Sequence, residues 1–415
     1  MPTVVVGTDA FLSLAHATAA KHGLPHLPLA AVPHPLGGVA PDLIAARAPS
    51  IVIAVLRALT SDPPAPPVQD QGGIDEREVP DDLDAFQELA LADGWSDGLP
   101  VLPSTPARVG RLLGGRPGDE LVAALAPLDG RATRQAIAVN AALAGARPEH
   151  MAVIVAAVRA VARPEFNLNA VQCTTHPCTP LIVVNGPGAA RLGIAGGANA
   201  LGNGPHANAV IGRALRLILQ NVGGARPGRE DRATLGHAGK LTYCLAENEA
   251  ESPFSPLHVE RGFAAGDTTV TVFGAEAPHN VNDHGSTTAD GLVLGLAGTA
   301  ATPGSNNVYL GGDPLVILGP EHARTIAGSG WSKTDFKRRF WERAQVPISA
   351  FGAENLARFV AITPERFKDR PPEARVPWCP TPEDVTVIVA GGPGKHSSIV
   401  PTFGATRSVT VRVEG

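Results

Sequence analysis

TVVVGTDAFLSLAHATAAKHGLPHLPLAAVPHPLGG, residues 3–38, sets the class of this chain. TVVVG at 3–7 reads as a buried strand, and Asp9 is placed to cap a helix over residues 10–22. LPLAAVP at 27–33 reads as a second strand. After the HPLGG loop, an apolar segment over about 41–59 reads as a second helix. The order is strand, helix, strand, helix, with no third strand. Two parallel strands leave both sheet edges open and bury little. The expectation is that the rest of the chain or another subunit completes this unit.

Outward from it, residues 61–83 (SDPPAPPVQDQGGIDEREVPDDL) are proline-rich and then acidic, the composition of a linker. Residues 84–415 then read as a larger mixed α/β domain. Helices are expected over DAFQELALADGW, STPARVGRLLGG, 134–144, 147–162 and 207–224. Strands are expected at PLIVVNGP, TTVTVFG, PLVILG and DVTVIVAGG. The fold class is therefore α/β: a partial doubly wound parallel unit at 1–60, a linker at 61–83, and the main domain at 84–415.

The 415 residues carry 34 Lys and Arg against 39 Asp and Glu, a net charge of −5. That balance, with 4% aromatics, argues against a nucleic-acid or anionic-membrane footprint. MPTVVVGTDAF has no basic region of a secretory signal, and runs such as MAVIVAAVRAVA are too short to span a bilayer. Four cysteines are too few for a disulfide-built fold. A cytoplasmic, reducing setting and no membrane partner are the expectations.

Several segments concentrate chemistry-bearing residues. VQCTTHPCTPLIVVNGPG (171–188) sets Cys173 and Cys178 around His176, but its spacing matches neither a structural zinc clip nor a Cys-x-x-Cys dithiol. It reads as a buried strand that delivers Thr175 and Asn185 to a pocket, with the cysteines as spectators. GIAGGANALGNGPHANAVIGRALR puts a Gly/Asn loop before a long helix; its Asn199, Asn203, His206, Asn208 and Arg213 would hold an anion. A loop needing only left-handed backbone fits the same letters. In CLAENEAESPFSPLHVERGF (244–263), Cys244, Glu247, Glu249 and His258 are candidate catalytic groups, with Glu247 and Glu249 on one side of an extended segment. A solvated acidic loop is the alternative. HNVNDHGSTT brings His279, Asp283 and His284 into one segment as candidate ligands of a divalent metal, or as a plain polar turn.

Residues 3–38, and onward to about 60, resemble the UGSC-type (seleno)protein domain of bacteria, through the strand, Thr8 and Phe11 before a helix, and the turn Pro33–Gly38. The resemblance implies that the tetrad naming the family, selenocysteine or cysteine followed by Gly-Ser-Cys, lies upstream of this portion. The segment then corresponds to the C-terminal part of such a domain. Residues 84–415 resemble a bacterial group associated with that domain, through DGWSDGLPVLP, RPEHMAVIVAAV, TTHPCTPLIVVNGP, NALGNGPHANAVIGRALR, CLAENE with LHVERGF, and VAGGPGKHS. Thr174-Thr175 and Asn185-Gly186-Pro187 belong to that pattern, whereas Cys178 does not.

The leading expectation is an oligomeric enzyme subunit, an oxidoreductase or lyase, working with a partner chain that carries the Cys-Gly-Ser-Cys-like half domain. It would run thiol-dependent redox or carbon–heteroatom chemistry on a small anionic substrate. A metal-dependent lyase or hydrolase with His258, Glu260, His279 and His284 as ligands, or a non-catalytic scaffold subunit, are the alternatives.

Overall fold

The computed structural model describes residues 3–36, 39–60 and 76–414. Most of the expected linker and the two glycines ending the HPLGG turn lie outside these. The chain is α/β throughout. At its start, β1 (Val5–Thr8), α1 (Leu12–Lys21), β2 (Leu29–Val32) and α2 (Pro41–Thr60) follow the expected order, with β1 and β2 parallel. Asp9 does not cap α1. Its carboxylate accepts the His34 N–H at 3.1 Å, because a short 3₁₀ turn at 9–11 carries it beyond the helix start. Arg47 in α2 donates to Pro35 O at 2.6 Å, tying that helix to the same turn.

Among the described residues this unit stays two-stranded, and neither strand joins a sheet of the larger body. It touches that body through the start of α1: Ser13 Oγ donates to Glu230 at 2.6 Å, Arg232 donates to Ala10 O, and the Arg232 guanidinium lies over the Phe11 ring. No residue of α2 is buried. Val52, Ile53 and Leu56 are each more than half exposed.

The body opens with α3 (Leu83–Ala92) and α4 (Pro106–Leu113), each started by a side-chain cap, Asp82 on Ala85 N and Thr105 on Arg108 N. The hairpin β3 (Leu121–Leu125) and β4 (Gly130–Thr133) leads into α5 (Arg134–Leu143) and α6 (Met151–Val161). Then come α7 (Leu168–Cys173), β5 (Thr179–Asn185), α8 (Pro187–Arg191) and α9 (His206–Asn221). β6 (Cys244–Ala246), α10 (Leu257–Glu260), β7 (Thr269–Ala275) and β8 (His279–Asn282) complete the first half. The second half holds α11 (Ala289–Ala300), α12 (Asn306–Leu310), β9 (Leu315–Leu318), α13 (Pro320–Gly328) and α14 (Lys333–Arg343). After them run β10 (Gln345–Pro347), α15 (Ala353–Ile362), α16 (Pro364–Phe367), β11 (Arg375–Pro377), β12 (Thr386–Val389), β13 (His396–Val400) and β14 (Val409–Arg412).

Two four-stranded sheets carry this body, in the orders β14-β7-β5-β6 and β8-β13-β9-β12. They repeat one plan: a parallel pair (β5 with β6, β9 with β12), then two antiparallel neighbours. Register repeats as well. Leu181 sits opposite Phe273 as Leu315 sits opposite Val400, and Ile182 beside Cys244 as Val316 beside Val387. The sequence carries the same echo, PLIVVNGP at 180–187 and PLVILGP at 314–320. The fourth strands are exchanged: β8 follows β7 but joins the second sheet, and β14 follows β13 but joins the first.

The sheets pack face to face between helical layers. Ile182 and Val184 of β5 face α5, α6 and α9, while Leu181 and Val183 meet Leu315, Ile317, Ile388 and Val400 of the other sheet. Val316, Leu318, Val387 and Val389 face α11, α13 and α14 on the far side. Burial on both faces is why these strands read as unbroken apolar runs rather than alternating ones.

Candidate active site

β5 and β6 run parallel, so their carboxyl ends open side by side, the place where open α/β sheets take ligands. Asn185 ends β5 and Glu247 follows β6 directly. Strand alternation turns Leu245 and Glu247 toward the other sheet, and Cys244 and Ala246 toward the helices. Glu247 Oε2 accepts from Asn185 Nδ2 at 2.6 Å and from Leu257 N at 2.9 Å, and its Oε1 accepts from Val389 N at 3.4 Å. Glu249 Oε1 accepts from the same Asn185 amide at 3.0 Å and from Gly186 N at 2.7 Å, with His258 Nδ1 3.7 Å away.

His258 is fully buried, and among the described residues neither ring nitrogen has a hydrogen-bond partner. Asn185 Oδ1 and Thr269 Oγ1, on residues facing each other across β5 and β7, are buried and unpartnered too. Buried polar atoms are nearly always paired, so the bare ones at this strand end are groups a bound molecule could engage, as are those of Gln172, His176, Glu230, Arg232 and His237 elsewhere. Gly186 makes the close approach possible: its φ is +85°, and a Cβ there would lie 1.9 Å from Asp267 O.

Burial pushes the Glu247 carboxyl above the usual carboxylate range, with nearby Lys333 and three hydrogen-bond donors opposing the rise. Lys333 itself is buried, its Nζ 2.8 Å from Glu260 and 2.9 Å from Ser255 O. Glu249 retains 29% side-chain exposure and is the outermost carboxylate of the pair. The group thus presents one reachable carboxylate, backed by a buried imidazole and a second carboxyl held by donors from both halves.

The duplicated end of β9 and β12 has none of this. Register sets Asn185, the last residue of β5, against Gly319, which follows β9; it sets Glu247 against Ala390 and Glu249 against Gly392. A requirement of the fold itself would recur in both copies. The two ends nonetheless meet. Asn248 donates its N–H to Val389 O at 2.7 Å, and Gly391 N donates to Gly196 O at 2.8 Å, bringing the Gly/Asn loop against the turn after β12.

Of the residues singled out in the sequence, the structure therefore gathers Asn185, Glu247, Glu249 and His258. Cys244 is not among them, since it lies on the opposite face of β6, and burial pushes its thiol far up. Thr175 precedes β5, a strand length of roughly 20 Å from Asn185, and accepts from Thr234 through its carbonyl. Arg213 cannot hold a substrate anion: Asp97 grips it with two bonds of 2.8 and 2.7 Å, and Leu99 O takes a third. The loop asparagines serve the loop. Asn208 bonds Ala195 N and O and Ala200 O, and Asn199 bonds Asn203. His206 opens α9 and packs on His150.

The metal reading also fails on geometry. His279 is on strand β8, Asp283 caps its own turn through Ser286 and Gly285, and His284 meets His396 at 3.4 Å. Glu260 is held by Lys333 and Lys337. Among the described residues no three of His, Cys, Asp and Glu converge as ligands. Cys173 and Cys178 are buried, each thiol pushed up to about 12 by desolvation, and His176 is paired with Glu276 at 2.7 Å. Lys333 and Thr269 escaped the sequence reading; the only signal was a lysine beside Trp331 in GWSK and a threonine opening TTVTVFG.

These features define a class: a βαβα segment set beside a four-layer helix–sheet–sheet–helix body with a carboxylate–histidine cluster at one sheet end. Residues 1–61 match the UGSC family. No curated protein and no solved structure matches the chain.

Proposed function

We propose that this chain is one subunit of an enzyme. A second polypeptide bearing a thiol- or selenol-containing half domain would complete its N-terminal unit. The reaction would be thiol-dependent redox or carbon–heteroatom chemistry on a small polar substrate. The observation that carries the reading is the cluster at the end of β5 and β6, with Glu249 reachable, His258 bare of partners behind it, and no counterpart in the duplicate half. Glu249 is the group that meets the substrate and moves a proton, with the buried His258 imidazole 3.7 Å behind it. Asn185 and Gly186 N fix the carboxylate.

The N-terminal segment supports the partner. Val5 and Val6 on β1, and Val52, Ile53, Leu56 and Leu59 along α2, stand exposed on a two-stranded sheet and an unburied helix. By length and composition α2 could also cross a bilayer. Against that, Arg47 in its second turn is committed to the Pro33–Pro35 turn. The test is co-expression with a chain carrying the Cys-Gly-Ser-Cys half, followed by mass photometry and vesicle flotation. A stoichiometric complex that shields α2 is expected; a lone monomer, or chain floating with vesicles in the partner's presence, would overturn the reading.

A further inference from the structure

We infer that the body has a second binding site, for a small aliphatic carboxylate, in a cleft of the outer helical layer away from the cluster residues. The cavity measures about 260 Å³ and is walled by α4, the start of α5, and one strip of α6. Its floor is apolar: Leu112, Leu113, Met151, Ala152, Val155 and Ala156. α6 is buried on almost every side, and the less buried Ala152 and Arg159 both open onto this space. Helix α6 could therefore have been covered here as elsewhere, yet it keeps an apolar strip facing a hollow.

The rim is cationic. Arg111, Arg116, Arg134 and Arg159 line it against Glu149 and Glu414, and Arg108 and Arg147 line the adjoining cleft that shares Arg111, Leu112 and Pro148. Arg134 is held by Glu120, and Arg159 by Glu414. The Arg111 side chain makes no hydrogen bond or ion pair among the described residues, so its fork is available to a carboxylate. A cavity with a hydrophobic floor and a guanidinium at its edge fits a molecule with an alkyl tail and one terminal anion. The volume suits a tail of roughly six to eight carbons. Neither a bare anion, which would leave the floor wet, nor an alkyl cation satisfies both walls.

Calorimetry on the full chain, with octanoate, octylamine and inorganic phosphate as probes, tests this. Octanoate should bind with a dissociation constant on the order of 0.1 mM, and octylamine should not bind. The R111A chain should lose about tenfold in octanoate affinity, and A152W, which fills the hollow from its open side, should abolish binding. Melting curves establish that both variants fold. Octanoate failing to bind at millimolar concentration, binding unchanged in folded A152W, or phosphate binding as well as octanoate would each overturn the site.

Discussion

Glu249 and Glu247 share one amide donor yet differ in what they can do, because one reaches solvent and the other is enclosed. E249Q should lower turnover of the assembled enzyme about 10²- to 10⁴-fold while leaving its melting temperature within a few degrees. Rates and melting curves measured together check this. Glu247 gives a pH signature instead. Its folded pKa lies above the unfolded value, so the native state binds the extra proton, and stability falls as pH rises from the ordinary carboxylate range toward the folded pKa. Urea titrations across that interval should show the fall in the parent and a flatter profile in E247Q. Arg213 tests the opposite role. The Asp97 carboxylate is almost wholly buried, so R213A leaves it with only the Leu99 N–H at 3.2 Å and should cost about 3 kcal/mol, read as a lowered melting temperature.

The turn from β5 into α8 is where an element depends on one residue. G186A would force a Cβ into the Asp267 carbonyl at a left-handed φ, and should destabilise by about 3 kcal/mol or more in chemical denaturation. Elements of this kind were legible because they carry local signals. PLIVV, PLVIL and the i, i+3, i+4 spacing of α9 announce themselves without reference to partners. Glu247 and Glu249 do meet, but not by the alternation expected of an extended stretch: β6 ends at Ala246, Glu249 opens a 3₁₀ turn, and the Asn185 amide with Gly186 N draws the two carboxylates together. What stayed hidden depends on distant chain. HNVN, with two asparagines and a histidine, reads as a polar turn, and becomes β8 only through its pairing with β13. Asp97 in DGWSDG gave no sign that it would claim Arg213 from 116 residues away. The doubling of the body was not read from the sequence: its only trace there is the short echo of PLIVVNGP and PLVILGP, diluted by loops of unequal length between the copies.

At the scale of the molecule, the hydrophobic clusters among the described residues draw on residues from Phe86 onward and include none from the N-terminal unit. A truncated chain beginning at residue 76 should therefore melt within a few degrees of the full chain, whereas residues 1–60 alone should show no cooperative transition in calorimetry. Loss of cooperative melting in the shortened chain would mean that Ser13, Phe11 and Ala10 do more for loop 229–232 than their few contacts suggest.

The exchange of β8 and β14 has a consequence in time. The sheet begun by β5 lacks its outer strand until Val409–Arg412 has been synthesised, roughly 220 residues later. The ribosome thus releases a first half whose β7 flank is still bare. Nascent chains stalled before residue 409 should remain protease-sensitive at β7 even though everything that precedes it in the first copy has already been made.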